Sequence, residues 1–185
     1  MPSADSAQPA GIAEAQEHFV SAWGQMAGAW GISRTMAEVH ALLYITGAAM
    51  NTDEIMDRLQ ISRGNASMSI RALLDWGIVS RTHKRGDRKE YFEADQDVWS
   101  MFRSIVRERM KREVEPLLAN LFEIRDQLPA PDDAEGDAQK ALLAHQGRLD
   151  EMLSFFRTVE KLSQRFAGPS GSGLEAAAKL LGRLP

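Results

Sequence analysis

The apolar period of this sequence changes at Gly77, and the two helical stretches just before that change leave few folds open. The first runs from Asn51 to Leu59: a side-chain oxygen of Asn51 or Thr52 can cap orphan amides, and Asp53 and Glu54 suit the positive end of a helix dipole. The second starts after Ile61 with Ser62 as N-cap and ends at Trp76. Projected on a helix, Ala66, Ile70, Leu73 and Leu74 share an apolar face, while Gly64, Met68, Arg71 and Asp75 point away, flanked by Asn65 and Ala72. Only Gln60-Ile61 joins the two stretches, which is the helix-turn-helix plan. Beyond Gly77, residues 78–83 and 90–93 read as two short strands, joined by Lys84-Arg85-Gly86-Asp87-Arg88-Lys89. Gly86-Asp87 supplies the backbone freedom of a hairpin tip, and Tyr91 and Phe92 favour strands. A wing therefore follows the second helix.

Charge singles out the same segment. From Arg58 to Lys89 eight basic residues oppose only Asp75 and Asp87, a net of +6, so the rest of a chain of formal charge −4 carries −10. A basic island in an acidic chain is the footprint of one surface made for a polyanion. Charge alone fits a solvated loop equally well.

Hydrophobic spacing predicts a mainly α fold around the small β-wing. Ile12, Phe19, Val20, Trp23, Met26, Ala27 and Trp30 recur at helical intervals, and Gly31 ends that helix. Ser33 caps another, with Thr35, Met36, Val39, Leu42, Leu43 and Ile45 inside and Gly47 closing it. After the wing, Val98, Phe102, Ile105, Val106, Val114, Leu117, Leu118, Leu121, Ile124 and Leu128 keep helical spacing from Asp97 to Leu128. Pro116 is expected to kink this helix without ending it, because the pattern resumes at Leu117. An acidic, proline-marked turn at 129–137 leads into a further helix, Ala138 to Phe166. The expected division is a disordered N-terminus at 1–10, an N-terminal helix at 11–32, a winged helix-turn-helix domain at 33–95, long helices for dimerisation at 96–167, and a flexible tail at 168–185. Residues 174–184 of that tail can form a short helix or fray. The long apolar stripes need a partner, for which a symmetric dimer is the preferred reading and an intrachain hairpin the alternative.

The segment ISRGNASMSIRALLDWGIVSRTHKRGDRKEYFEA, residues 61–94, resembles the recognition helix and wing of MarR-superfamily winged-helix regulators, in their GbsR-like branch. The resemblance rests on Ser62 through Ser69, Arg71, the exit Leu73-Leu74-Asp75-Trp76-Gly77-Ile78-Val79, and Gly86-Asp87-Arg88-Lys89 followed by Tyr91-Phe92-Glu93-Ala94. It implies a homodimeric transcription regulator, commonly a ligand-responsive repressor, on a palindromic stretch of double-stranded DNA. Ser62, Arg63, Asn65, Ser67, Met68 and Arg71 then correspond to the DNA side of the recognition helix, and Asp87 and Arg88 to the wing tip, where Lys84, Arg85 and Lys89 add charge. The chemistry of these residues agrees: Asn can hydrogen-bond an adenine edge twice, Met can touch a thymine methyl, and Arg reaches guanine or phosphate. The wing would lie on the backbone or in a minor groove.

Catalysis finds little support. His18, His40, His83 and His145 lack metal-ligand spacing, and the sequence holds no phosphate loop, dinucleotide fingerprint or nucleophile elbow, so neither metal nor cofactor is expected. With no cysteine, no basic leader and no apolar run of membrane length, a cytoplasmic chain without membrane contact is expected. The GbsR-like resemblance further implies a small-molecule effector, for which choline-like cations held by cation–π contacts are the model. Trp23, Trp30, Tyr44, Trp99 and Phe102 are the candidate cage, although aromatics at helical spacing usually belong to a core. The competing functional reading is a winged-helix interaction module that grips an acidic protein or RNA.

Overall fold

The computed structural model describes residues 11–133 and 135–168 and also Gly182. The expectations for 1–10 and for the tail beyond Gly168 lie outside these residues. The chain divides into two compact units, Met1–Met101 and Phe102–Pro185. The division falls inside the helix Val98–Arg109, in which Met101 is buried.

The first unit contains α1 (Ile12–Ala29), α2 (Arg34–Thr46), β1 (Met50–Asn51), α3 (Thr52–Leu59), α4 (Arg63–Asp75), β2 (Val79–Thr82) and β3 (Tyr91–Ala94). Helix α2 is its axis: it packs against α1, α3, α4 and β3 and buries Met36, Ala37, Val39, His40, Ala41, Leu42 and Leu43. Ser33 caps its start by accepting from the Met36 amide at 3.4 Å. On α1 the buried face is Gln16, Val20, Gly24 and Ala27, so Ile12, Met26 and Trp30, three residues of the expected apolar stripe, remain exposed. Gly24 is there for close approach, since a Cβ on it would lie 2.7 Å from Cγ of Glu38.

Helix α3 begins with a reciprocal capping box. The Asn51 side chain accepts from the amides of Asp53 and Glu54 at 2.9 and 3.1 Å, and the Glu54 carboxylate accepts from the Asn51 amide at 2.8 Å. Its exit turns on Gln60, which adopts a left-handed conformation (φ 52°). Helix α4 then buries Ala66, Ser69, Ile70 and Leu73, three of the four apolar positions read from sequence, with Leu74 half-buried.

The wing strands pair antiparallel, with Val79 opposite Ala94 and Thr82 opposite Tyr91. Sequence reading missed the third strand: β1 pairs with β3 through Met50–Phe92 and Asn51–Tyr91, giving the order β1-β3-β2. The residue that caps α3 thus also anchors the wing.

The second unit continues α5 (Val98–Arg109) through a π-helical turn, Met110–Val114, into α6 (Glu115–Asp126). At Pro116, the expected site of a kink in a continuing helix, the distortion takes this form: proline donates no amide, and its ring crowds the carbonyl four residues back, which a wider turn relieves. After a 3₁₀ turn at Pro131–Asp133, α7 spans Gly136–Ala167 and packs against α6 within the chain. Arg125 and Asp150 bridge the two helices at 2.8 Å, and Arg107 donates to the Ala167 carbonyl at 2.8 Å. Among the described residues, no helix is long and apolar enough to cross a membrane.

Candidate nucleic-acid interface

The cap that starts α4 determines which side chains face outward. Ser62 accepts from the Asn65 amide at 3.3 Å, and burial of Ala66, Ile70 and Leu73 turns Arg63, Asn65, Met68 and Arg71 to solvent. Ser67 lies half-buried beside them. Met68 is 63% exposed, so it fills no gap in the core. The Ser62 oxygen serves the helix amide, and its hydroxyl proton remains available to an acceptor.

The wing tip turns at Gly86 (φ 88°), where the Asp87 amide donates to the Lys84 carbonyl at 3.1 Å. Asp87 organises the returning strand. One carboxylate oxygen accepts from the Lys89 amide at 3.0 Å and the other from the Tyr91 hydroxyl at 2.7 Å. The Tyr91 hydroxyl and the Lys89 amide hold the Asp87 carboxyl below its usual range, while the same hydroxyl bond raises Tyr91 above its own. The Lys84 ammonium sits 4.1 Å from the centre of the Tyr91 ring, a cation–π contact.

Helix and wing meet through Asp53 on α3. Its carboxylate accepts from Arg63 at 2.5 Å and from Lys89 at 3.1 Å. These bonds, that from Lys89 foremost, hold Asp53 below the usual carboxylate range, and Asp53 in turn raises Lys89. Among the described residues, Arg71, Arg85 and Arg88 take part in no ion pair, and each is exposed. The ten residues singled out on sequence as DNA contacts therefore lie on one helix and one hairpin of the first unit. Arg63 and Lys89 are already paired there, Lys84 rests on a ring, and Arg71, Arg85 and Arg88 stand open. Sequence reading placed Asp53 only at a helix start and Tyr91 only in a strand. The partners of Asp53 lie ten and thirty-six residues away, and the bond from Tyr91 to Asp87, though only four residues long, closes across a hairpin turn, so helical or strand periodicity reveals neither.

Two of the aromatic candidates, Trp23 and Tyr44, share one cluster, a run of rings with Phe19 and His40 at centroid distances between 5.8 and 6.3 Å. Trp30 is 52% exposed at the end of α1, and Trp99 is half-buried on α5. Phe102 belongs to the second unit, where it meets Phe166 edge-on at 5.4 Å. His40 is buried with its Nε2 unpartnered, and burial lowers its pKa to about 4 against the opposing pull of Asp95.

Residues 30–90 match the MarR family. The chain is 23% identical over 158 residues to the HTH-type transcriptional repressor GbsR of Bacillus subtilis (strain 168), covering 84% of this chain and 87% of that protein. It is 26% identical over 91 residues to the putative HTH-type transcriptional regulator YvaV of the same organism, 49% of this chain and 51% of that one. A solved structure titled as that of a transcriptional regulator is 22% identical and covers 82% of this chain and 99% of that one, with a TM-score of 0.46. The family and these relatives are regulators, not enzymes. The segment matched by the MarR family takes in α2, β1, α3, α4, β2 and the tip of the wing, so this part of the chain is similar to the transcription regulators of that family, and GbsR and YvaV are among the proteins that resemble it.

Proposed function

We propose that the chain is a homodimeric, cytoplasmic repressor that reads a palindromic operator, with α4 in the major groove and the wing on the backbone or in the adjacent minor groove. The observation that carries this reading is the two-sidedness of α4: Ala66, Ile70 and Leu73 are buried, while Asn65, Met68 and Arg71 are exposed beside a wing whose Arg85 and Arg88 are open. Asn65 and Arg71 can read base edges, and Arg88 and Arg85 can hold phosphates. That the similar GbsR of Bacillus subtilis is a transcriptional repressor supports the direction of control.

The dimer rests on a second apolar stripe of α7. One side carries Leu149, Leu153 and Phe156, of which Leu153 is 5% exposed. Met152, Phe155, Val159, Leu162 and Phe166 recur at intervals of three and four along a different face, and Met152, Phe155 and Leu162 are about half exposed. A stripe with coiled-coil spacing fits a twofold partner better than water. Release by a small ligand completes the proposal, with the rings around Trp23 and Tyr44 as the place to seek it.

Selection of duplexes from a random pool, followed by footprinting of the recovered sequence, tests the reading. The expected result is a protected palindrome whose affinity falls steeply with salt. Arg88→Ala should lower the log–log salt slope by about one per protomer for every sequence, and Asn65→Ala should flatten sequence preference. Failure to retain any duplex, with retention of RNA or of an acidic protein instead, would overturn it. Adding candidate small molecules to the bound complex then reads ligand release directly.

A further inference from the structure

Asp53 has no cap to make. The Asn51 side chain and Glu54 already serve the first amides of α3, so the Asp53 carboxylate is available to other elements. It takes a cation from each of two: Arg63 at the start of α4 on Oδ1, and Lys89 in the tip segment of the wing, just before β3, on Oδ2. All three side chains are about half exposed, at 45%, 68% and 55%. Ion pairs this wet add little to folding stability. Their importance lies in what they occupy, because two cations on the proposed DNA face are engaged by one internal anion, leaving that trio with a net charge of +1, while Arg71, Arg85 and Arg88 take part in no ion pair among the described residues.

We propose that Asp53 acts as an internal stand-in for a DNA phosphate, holding Arg63 and Lys89 in the free protein so that only a correctly seated duplex recovers the cost of displacing it. This rests on the DNA-binding reading above and adds a specificity-determining residue to it. A random duplex offers phosphates but no matching base edges. To use Arg63 and Lys89 it must break two bonds and approach a carboxylate, with nothing gained from Asn65 or Arg71. An operator supplies those base contacts and can therefore meet the cost. Discrimination arises from a repulsive element aimed at the wrong partner, in addition to attraction toward the right one. Lys89 foremost, and Arg63 with it, hold the Asp53 carboxyl below the usual carboxylate range, which favours its charged form.

The test uses the full chain, a selected high-affinity duplex and a scrambled duplex of equal length, with anisotropy titrations at several salt concentrations. Asp53→Asn keeps the shape and removes the charge. The expected result is roughly tenfold tighter binding to the scrambled duplex, a salt slope steeper by up to about two per protomer, and a smaller ratio of selected to scrambled affinity. Lys89→Ala in the Asp53→Asn background should cancel about half of the added slope. Asp53→Ser, which retains a good residue for a helix start, should repeat the Asn result and guards against a local folding defect. Unchanged slopes and ratio, or weaker binding to both duplexes by both variants, overturn the proposal for Asp53 alone. Wild-type protein that retains neither duplex overturns the DNA-binding reading and this proposal with it.

Discussion

The Tyr91 hydroxyl donates to the Asp87 carboxylate at 2.7 Å, so the wing tip is tied to the strand that carries it. Tyr91→Phe removes the donor while leaving every cation of the wing in place. We expect operator affinity to fall by roughly tenfold at most, the scale of one charge-assisted hydrogen bond, with the salt slope unchanged. A salt titration of the variant beside Arg88→Ala distinguishes a lost brace from a lost phosphate contact. A slope altered as strongly as in Arg88→Ala would refute the bracing role.

Met68 is the apolar residue of α4 that the core does not use. Replacing it with alanine should leave the urea midpoint nearly unchanged, within about 0.5 kcal/mol, as for other exposed sites. Sequence selection should change at the base step facing it, where a thymine methyl loses its apolar contact. Repeating the duplex selection with the variant measures this.

His40 makes stability depend on pH. Its folded value of about 4 lies below the ordinary 6.5, so the unfolded chain binds the proton first. Its contribution is fully present above about pH 6.5 and is lost as pH falls toward 4, a loss on the order of 3 kcal/mol. Urea unfolding at pH 7, 5.5 and 4.5 should show the decline, and His40→Leu should remove most of it between these values. An unchanged decline in the variant would assign it to other groups.

Asn51 joins the start of α3 to the sheet. Asn51→Ala should cost about 1–2 kcal/mol, the upper end for a lost N-cap, because Glu54 also loses the reciprocal geometry. Chemical denaturation reports the cost, and amide exchange should rise first at Asp53 and Glu54.

Phe155, 59% exposed on α7, should matter to assembly more than to the fold. Phe155→Lys is expected to weaken self-association by roughly a hundredfold while leaving the helical circular dichroism intact. Sedimentation across a concentration series provides the measurement. A monomeric wild type would remove the dimer from the proposed function.

Local pattern was enough to reveal the helix-turn-helix and the wing, since α4 has a clear apolar face and Gly86-Asp87 marks the hairpin tip. It failed where an element is too short or a contact too distant. Strand β1 has two residues and so no period, and it exists because β3 offers it an edge. On α1 the spacing promised an apolar stripe through Ile12, Met26 and Trp30, yet the face that fits α2 is the one with Gln16 and Gly24, where a missing Cβ lets Glu38 approach. The π-helical turn ahead of Pro116 likewise followed from keeping two helices continuous across a missing amide.

From sequence alone came the charge of the island, the faces of α4 and the identity of the side chains that face outward, because each depends on neighbours within a turn or a hairpin. Tertiary structure decided which of those cations are free. Arg63 and Lys89 are paired and Arg71, Arg85 and Arg88 are open because one carboxylate, ten residues from the first and thirty-six from the second, is brought between them when α3, α4 and the wing pack together.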